Sequence, residues 1–237
     1  MNTSMSNPKT EIILALDVES RTKAEEILDK TGEELKWVKI GLQTYLRDGK
    51  SFIHDIASSG KSIFLDLKLH DIPNTMCKAI ESLSDLPIKM LTLHSSSGPE
   101  ALIKCKKVAT NCLPNAKLLA VTVLTSMNRQ NLRSIGIDME IIEQVNNLAN
   151  MAVESGISGI VSSPLELVKL RPKLPQETIF VTPGIRPTGS VSGDQKRVMT
   201  PKQASAAGAN YLVIGRPILE AQCPKSALSE IQNELIL

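Results

Sequence analysis

Short runs of aliphatic and β-branched residues alternate along the chain with longer stretches in which apolar residues recur at helical spacing. The short runs predict eight strands, over Ile12–Asp17, Trp37–Gly41, Ser62–Lys68, Ile88–His94, Lys117–Val123, Gly159–Ser162, Ile179–Thr182 and Tyr211–Gly215. The longer stretches predict helices over Arg21–Lys30, part of Gly49–Ser59, Thr75–Ser84, Pro99–Thr110, Ile141–Ser155, Pro164–Leu170, Pro201–Ala207 and Lys225–Leu235. Several of these helices begin near Pro, Ser or Thr, which favour the start of a helix.

The strict alternation of strands and helices predicts the fold class. Consecutive strand–helix–strand units place their strands parallel and join them by right-handed crossovers. Eight strands and eight helices in 237 residues suit an α/β fold of the closed (β/α)8 TIM barrel type better than an open doubly wound sheet. No G-x-G-x-x-G motif follows the first strand, which counts against a dinucleotide-binding sheet. We predict a single barrel domain over residues 11–237, preceded by a flexible polar tail over residues 1–10 that is not a signal peptide.

Composition and charge exclude several classes of protein. Apolar residues make up 42% of the chain, enough for a full core, and the net charge is +2 without any block of like charges. We therefore expect no nucleic-acid partner and, since no run of about 18 apolar residues occurs, no membrane span. The four cysteines lack C-x-x-C spacing and the three histidines offer no zinc template, so we expect reduced thiols, no metal site and a cytoplasmic location.

Ionisable residues stand at the C-terminal ends of three consecutive predicted strands, the end at which TIM barrels keep their active sites. Neighbouring strands are ~4.8 Å apart, so such side chains can form one connected charge cluster. Asp17 could instead cap the helix that follows it, and Lys39 could simply neutralise a carboxylate. The predicted cluster comprises Asp17, Lys39, Asp66 and Lys68.

The third strand runs into the segment Phe64–Thr75, FLDLKLHDIPNT, which carries the strongest chemical signal. Asp66 and Lys68 share a face of a strand, with Cβ atoms only ~7 Å apart, and Asp71 lies on the turn that follows. Two carboxylates around one ammonium favour its charged form, which suits a proton donor and disfavours a Schiff-base lysine. An isolated D-x-K-x-x-D string is, however, more often a structural ion pair.

Two other strand residues are expected to be structural. The fourth strand places Thr92 and His94 on one face near its end, and we interpret His94 as a hydrogen-bonded structural histidine. Trp37, the only tryptophan, is expected to pack in the core or in an interface.

Two similar segments, GIRP at 184–187 and IGRP at 214–217, follow the seventh and eighth strands, where TIM barrels often bind phosphate. Glycine lets an oxyanion approach the backbone, and arginine offers a planar fork that matches phosphate oxygens. The first of these segments opens a long connection rich in Gly, Ser and Pro, from Pro183 to Gln195, which predicts a lid with Gln195 reaching inward. A plain surface loop is the competing interpretation for residues 188–193.

Together these motifs resemble the orotidine 5′-phosphate decarboxylase family, bacterial type, along nearly the whole chain. The matching segments are Leu16–Asp17, Val38–Gly41, Asp66–Thr75, Ala120–Met127, Thr182–Pro187, Gly193–Gln195 and Val213–Pro217. The resemblance implies cofactor-independent decarboxylation of orotidine 5′-monophosphate to uridine 5′-monophosphate, the last step of de novo pyrimidine nucleotide synthesis.

The resemblance also implies a role for each candidate residue. Lys68 delivers a proton to C6 of the pyrimidine, Asp66 lies beside the departing carboxylate, and Lys39 and Asp71 complete an alternating charge array. Asp71 comes from the partner subunit, which implies a homodimer with shared active sites. The expected substrate-binding set comprises Asp17 and Lys39 at the ribose, Thr125 or Ser126 at the base, Arg186, Gln195, Gly215 and Arg216 at the phosphate, and also Asp66, Asp71, Ile72 and Thr75.

Three alternatives remain open from the sequence. The closest is a Mg²⁺-dependent sugar-phosphate decarboxylase or synthase of the same barrel superfamily, which shares the D-x-K-x-x-D core. A Schiff-base aldolase and a catalytically inactive nucleotide-binding scaffold are the others. The HDIPN continuation after Lys68 argues against the first of these, and the presence of Asp66 and Lys68 argues against the last.

Overall fold

The computed structural model describes residues 10–187 and 198–235. The strands are β1 (Glu11–Ala15), β2 (Trp37–Gly41), β3 (Ser62–Leu69), β4 (Ile88–His94), β5 (Lys117–Val121), β6 (Gly159–Val161), β7 (Ile179–Thr182) and β8 (Tyr211–Ile214). The α-helices are α1 (Arg21–Thr31), α2 (Leu42–Ser58), α3 (Pro73–Glu81), α4 (Pro99–Cys112), α5 (Arg129–Ser134), α6 (Ile141–Glu154), α7 (Pro164–Leu170), α8 (Pro201–Ala206), α9 (Arg216–Leu219) and α10 (Pro224–Glu234).

These strands form one closed parallel barrel in chain order, with β8 hydrogen-bonded back to β1. Every strand pair is parallel, as the alternating pattern requires. The predicted TIM barrel is therefore confirmed. Because parallel strands end on the same side, residues that follow β1, β2, β3, β7 and β8 converge at one mouth.

Several element boundaries differ from the sequence-based prediction. Helix α2 begins at Leu42, well before the predicted segment, because Gly49 (φ +66°, ψ −160°) interrupts a longer helix and obscures its periodicity. Helices α5 and α9 were not predicted, since six and four residues are too few to show a helical repeat. Strand β1 ends at Ala15, so Asp17 lies on the loop that follows it rather than on the strand.

Thr10 also departs from its predicted place in the N-terminal tail. The side chain is buried, and its hydroxyl donates a hydrogen bond to the Ala209 carbonyl over 2.8 Å. Thr10 therefore belongs to the folded barrel. Residues 1–9, the rest of the predicted tail, lie outside the described residues.

Buried apolar side chains separate into a cluster between the barrel and its helices and a second cluster inside the barrel. Trp37 and Tyr211 pack edge to face against the interior cluster with ring centroids 5.1 Å apart, and Trp37 Nε1 donates to Glu11 Oε2 over 3.2 Å. Trp37 is thus a packing residue at the N-terminal end of the barrel. The interior cluster comprises Ile13, Ala15, Phe64, Met90, Leu119, Val181 and Val213.

Two general expectations can be compared with the described residues. None of their helices combines the length and the apolar character needed to cross a membrane. The thiols of Cys77, Cys105, Cys112 and Cys223 are all free. The cytoplasmic location inferred from the sequence stays a prediction.

Candidate active site

A cavity of about 540 Å³ opens at the C-terminal ends of the strands. It gathers side chains from opposite sides of the barrel, as expected for a TIM-barrel mouth. Apolar residues, among them Phe64, Val161 and Val213, line it beside the charged groups. The sequence-predicted residues that line the cavity are Asp17, Lys39, Asp66, Lys68, Thr125, Arg186, Gly215 and Arg216.

Four of these residues form a chain of alternating charges. Lys39 Nζ lies 2.8 Å from Asp17 Oδ2 and 3.8 Å from Asp66 Oδ2. Lys68 Nζ lies 2.7 Å from the same Asp66 oxygen. The side chains of Lys39 and Asp66 are only 8% and 11% exposed, so each charge requires a partner, and the array provides one. The four formal charges sum to zero.

The contact between Asp66 and Lys68 does not arise from regular strand alternation. Leu65 of β3 pairs with Leu91 of β4, but the next pair joins Leu69 to Leu93, so β3 bulges between them. Within the bulge Lys68 has a φ of +49°, in the left-handed region that side-chain-bearing residues seldom adopt. The expectation that both side chains meet is correct, but its stated reason, regular alternation of side chains from Asp66 to Lys68, is wrong.

Gly41, at the end of β2, makes room for the other half of the array. A Cβ atom at this position would lie 2.6 Å from Asp17 Oδ1 and 2.9 Å from Lys39 Nζ. Any larger residue would therefore push the Asp17–Lys39 pair apart. The need for glycine here follows from a close approach between residues 24 positions apart, which the sequence alone does not reveal.

The two predicted phosphate segments meet at the same cavity. Arg186 is nine-tenths buried, and its Nη1 donates to the Ile185 carbonyl over 2.8 Å. Gly184, with φ +79°, turns the chain out of β7, and Ile185 forms a β-bridge with Met199. Arg216 follows β8 and lines the cavity with Gly215. Residues 188–195 of the predicted lid, including Gln195, lie outside the described residues.

Three sequence-predicted residues do not line the cavity of their own chain. Asp71, Ile72 and Thr75 are all exposed, and Ile72 is 66% exposed. Asp71 Oδ1 accepts a hydrogen bond from the Ile72 backbone N–H over 2.7 Å. Asp71 and Thr75 line a separate depression of about 300 Å³. Lys68 borders both spaces, so it separates the cavity from this exposed patch.

His94 lies close to the site but has structural partners. Its imidazole stacks on that of His70 with ring centroids 4.9 Å apart, and its Nδ1 accepts from the Ser96 backbone N–H over 3.4 Å. Burial, with smaller contributions from His70 and Lys68, lowers the pKa of His94 to about 4. The ring is therefore neutral near pH 7 and is no proton donor there.

Two residues that shape the site, Gly41 and Thr92, received no site role from sequence reasoning, and Gly184 was noted only as part of the GIRP segment. Thr92 is fully buried, and its hydroxyl donates to Asp66 Oδ1 over 2.9 Å. Strand alternation correctly predicts that Thr92 faces the barrel interior near the mouth, and this was the sequence signal that could have identified it as a site residue. Among the described residues, no three His, Cys, Asp or Glu side chains group as a metal site would require.

A family model described as "Orotidine 5′-phosphate decarboxylase / HUMPS family" matches residues 10–231. This chain belongs to that family. Members of the orotidine 5′-phosphate decarboxylase / HUMPS family similar to it include the protein named orotidine 5′-phosphate decarboxylase of Opitutus terrae, 45% identical over 225 residues, or 95% of this chain and 98% of the relative. The protein of the same name from Gluconobacter oxydans is 41% identical over 231 residues, or 96% of this chain and 98% of the relative.

Solved structures agree with the family and the fold. The crystal structure of orotidine 5′-phosphate decarboxylase from Lactobacillus acidophilus superposes with a TM-score of 0.85 at 35% identity, covering 96% of this chain and 100% of that chain. An uncharacterized conserved protein from Geobacillus kaustophilus superposes with a TM-score of 0.83 at 28% identity, covering 94% and 99%. The resemblance inferred from the sequence motifs is thereby confirmed.

Proposed function

We propose that this protein decarboxylates orotidine 5′-monophosphate to uridine 5′-monophosphate, the last step of de novo pyrimidine nucleotide synthesis. Relatives of that name share 41–45% identity with nearly the whole chain, and they do not favour the Mg²⁺-dependent sugar-phosphate alternative. The observation that carries the proposal is the Lys68 ammonium, held 2.7 Å from Asp66 at the mouth of the barrel.

Lys68 is the group that handles the developing charge. When the bond between C6 and the carboxylate breaks, the electron pair stays on C6, and CO₂ leaves. A positive charge already in place stabilises that pair without the cost of reorganising solvent. The Lys68 ammonium then transfers its proton to C6, and the amine regains a proton from solvent after the product leaves.

Asp66 and Lys39 prepare Lys68 for this role. Asp66 accepts from Lys68 Nζ over 2.7 Å, so it holds the ammonium in place. Lys39 faces the same carboxylate oxygen at 3.8 Å and limits the repulsion that Asp66 exerts on an incoming substrate carboxylate. Because this array supplies the positive charge, the reaction needs no cofactor.

The remaining cavity residues bind the rest of the nucleotide. Asp17 and Lys39 bind ribose hydroxyls, and Thr125 contacts the base. Arg186, Gly215 and Arg216, which lie after β7 and β8, bind the phosphate at the position typical of TIM barrels. Binding energy from this distant phosphate helps to position the ring for the chemical step.

The exposed patch with Asp71, Ile72 and Thr75 completes the active site of a partner subunit. A carboxylate and a 66% exposed isoleucine outside their own cavity suit a contact between two copies of this chain. In the homodimer, Asp71 extends the alternating charges of the partner's array.

The ultraviolet absorbance change on adding orotidine 5′-monophosphate to purified protein, with and without EDTA, tests the function. We expect turnover at equal rates in both samples, since the charges on Lys39 and Lys68 replace a metal ion in the array. An activity abolished by EDTA and restored by Mg²⁺ would favour the sugar-phosphate class of mechanism. No turnover by folded dimer would refute the proposed activity, and borohydride trapping of substrate on Lys68 would reveal a Schiff-base enzyme.

Truncation of Arg216 is expected to weaken the enzyme through the phosphate. For Arg216→Ala we predict that kcat/KM falls by about 10²-fold or more, because a charge-assisted, bidentate contact to phosphate is lost. Steady-state kinetics with orotidine 5′-monophosphate measure this effect. Arg216→Lys keeps the charge without the planar fork and should recover only part of the loss.

Calorimetric titration of Arg216→Ala with the product nucleotide and with its phosphate-free nucleoside provides the control for this assignment. Uridine 5′-monophosphate should bind more weakly to Arg216→Ala than to the unsubstituted protein, whereas binding of uridine, which lacks the phosphate, should not change. Equal weakening for both ligands would place Arg216 elsewhere in the substrate site.

A further inference from the structure

Thr92 of β4 lies inside the barrel with no solvent exposure. Its hydroxyl donates to Asp66 Oδ1 over 2.9 Å and accepts from the Lys68 backbone N–H over 2.8 Å. One buried hydroxyl therefore contacts both the carboxylate that holds the ammonium and the main chain of the residue that bears it.

The register between β3 and β4 explains why a side chain is needed at this point. Leu65 pairs with Leu91 and Leu69 with Leu93, so the residues from Asp66 to Lys68 stand opposite Thr92 alone. In a regular parallel ladder, a backbone carbonyl of β4 would accept from a part-buried N–H group of β3 such as this one. Here the bulge interrupts the ladder, and Thr92 Oγ1 accepts in its place.

The same contact restrains an uncommon backbone conformation. Lys68 has φ +49°, which persists in side-chain-bearing residues only where surrounding contacts hold it. The Thr92 hydroxyl accepts from the Lys68 backbone N–H, and its own proton is donated to Asp66 Oδ1. The other carboxylate oxygen, Oδ2, then faces Lys68 Nζ at 2.7 Å.

We propose that Thr92 is a positioning residue that sets the placement of the Lys68 ammonium by joining the Lys68 main chain to the Asp66 carboxylate. The inference rests on the proposed function, because the ammonium it positions is the one that delivers the proton. Thr92 acts through Asp66 and Lys68 and is absent from the residues that line the substrate cavity. Its substitution should therefore affect the chemical step more than substrate binding.

Thr92→Val removes the hydroxyl and retains the shape of the side chain. We expect kcat for orotidine 5′-monophosphate to fall by about 10- to 100-fold, because a small displacement of a reacting group is costly. KM and the affinity for uridine 5′-monophosphate should stay within about threefold, since the phosphate and ribose contacts remain. Thr92→Ser restores the hydroxyl and should recover most of the lost kcat.

Thr31→Val is the matched control, because Thr31 is equally buried but donates only to carbonyls of its own helix α1. Thermal unfolding of each variant shows whether it remains folded, and Thr31→Val should keep its kcat. Unchanged kcat in folded Thr92→Val would overturn the inference, as would failure of Thr92→Ser to recover activity. A parallel loss of uridine 5′-monophosphate affinity would also overturn it, since it would indicate general collapse of the site.

Hydrogen exchange at the Lys68 amide gives a measurement that does not depend on catalysis. We expect faster exchange in Thr92→Val than in the unsubstituted protein, because the amide loses its acceptor. If the unsubstituted protein fails to decarboxylate the nucleotide, the proposed function is wrong, even if hydrogen exchange at the Lys68 amide is faster in Thr92→Val. If it is active but exchange at Lys68 is unchanged by Thr92→Val, the positioning role fails alone.

Discussion

Lys68→Ala should lower kcat/KM for orotidine 5′-monophosphate by about 10⁴-fold or more. Loss of a general acid costs ~10²–10⁴-fold, and loss of a donor that stabilises developing charge costs ~10²–10³-fold. In the proposed mechanism Lys68 fills both roles at one atom, so a single substitution should remove both. A discontinuous assay, in which product is quantified in samples quenched after long incubation, is the suitable measurement because it remains sensitive at such low rates.

The Lys68→Ala variant is expected to fold normally. Alanine meets the same backbone constraint as lysine at φ +49°, and Asp66 keeps Lys39 and Thr92 as partners. Lys89→Ala, which removes an exposed ammonium at the start of β4, is the matched control and should be fully active. Lys68→Arg keeps the positive charge but not a transferable proton, so it should bind nucleotide without restoring turnover. Normal activity in Lys68→Ala would contradict the mechanism.

Hybrid dimers should reveal which subunit supplies Asp71. Asp71→Ala alone is expected to lose about 10²-fold or more in kcat/KM, through one missing charge of the array. If Asp71 serves the neighbouring subunit as proposed, a hybrid of one Lys68→Ala subunit and one Asp71→Ala subunit has one site with an intact Lys68 that receives Asp71 from its neighbour. One site of two is then complete, so we expect about half of the unsubstituted activity per dimer.

Two affinity tags and sequential purification isolate that hybrid. The negative control pairs Lys68→Ala with Asp66→Ala, because both residues line the cavity of the same chain and no site in that hybrid is complete. If Asp71 served its own chain, the first hybrid would be as inactive as its parents. Sedimentation velocity of the unsubstituted protein would independently show whether it forms the dimer.

Most of the fold could be predicted from local patterns. Strands β2, β4 and β7 and helix α7 have the predicted bounds. Their signals, an apolar run for a strand and a proline at the start of a helix, depend only on residues that are adjacent in sequence. Helices α5 and α9 escaped prediction because they are held in place by the barrel and are too short to show a repeat. Several strands were predicted to end one or two residues too late, as with Asp17 after β1, since a hydrophobic pattern does not show where ladder bonds stop.

The sequence by itself determined the barrel, the candidate charged residues at its mouth and the resemblance to one family. The tertiary structure decided how those charges meet: the β3 bulge turns Lys68 onto Asp66, Gly41 leaves space for the Asp17–Lys39 pair, and Thr92 joins strands β3 and β4. It also decided that Asp71 faces away from the cavity of its own chain. The physical reason is range, because periodicity arises between neighbours in sequence, whereas bulges, close approaches and buried hydrogen bonds arise between residues that only folding brings together.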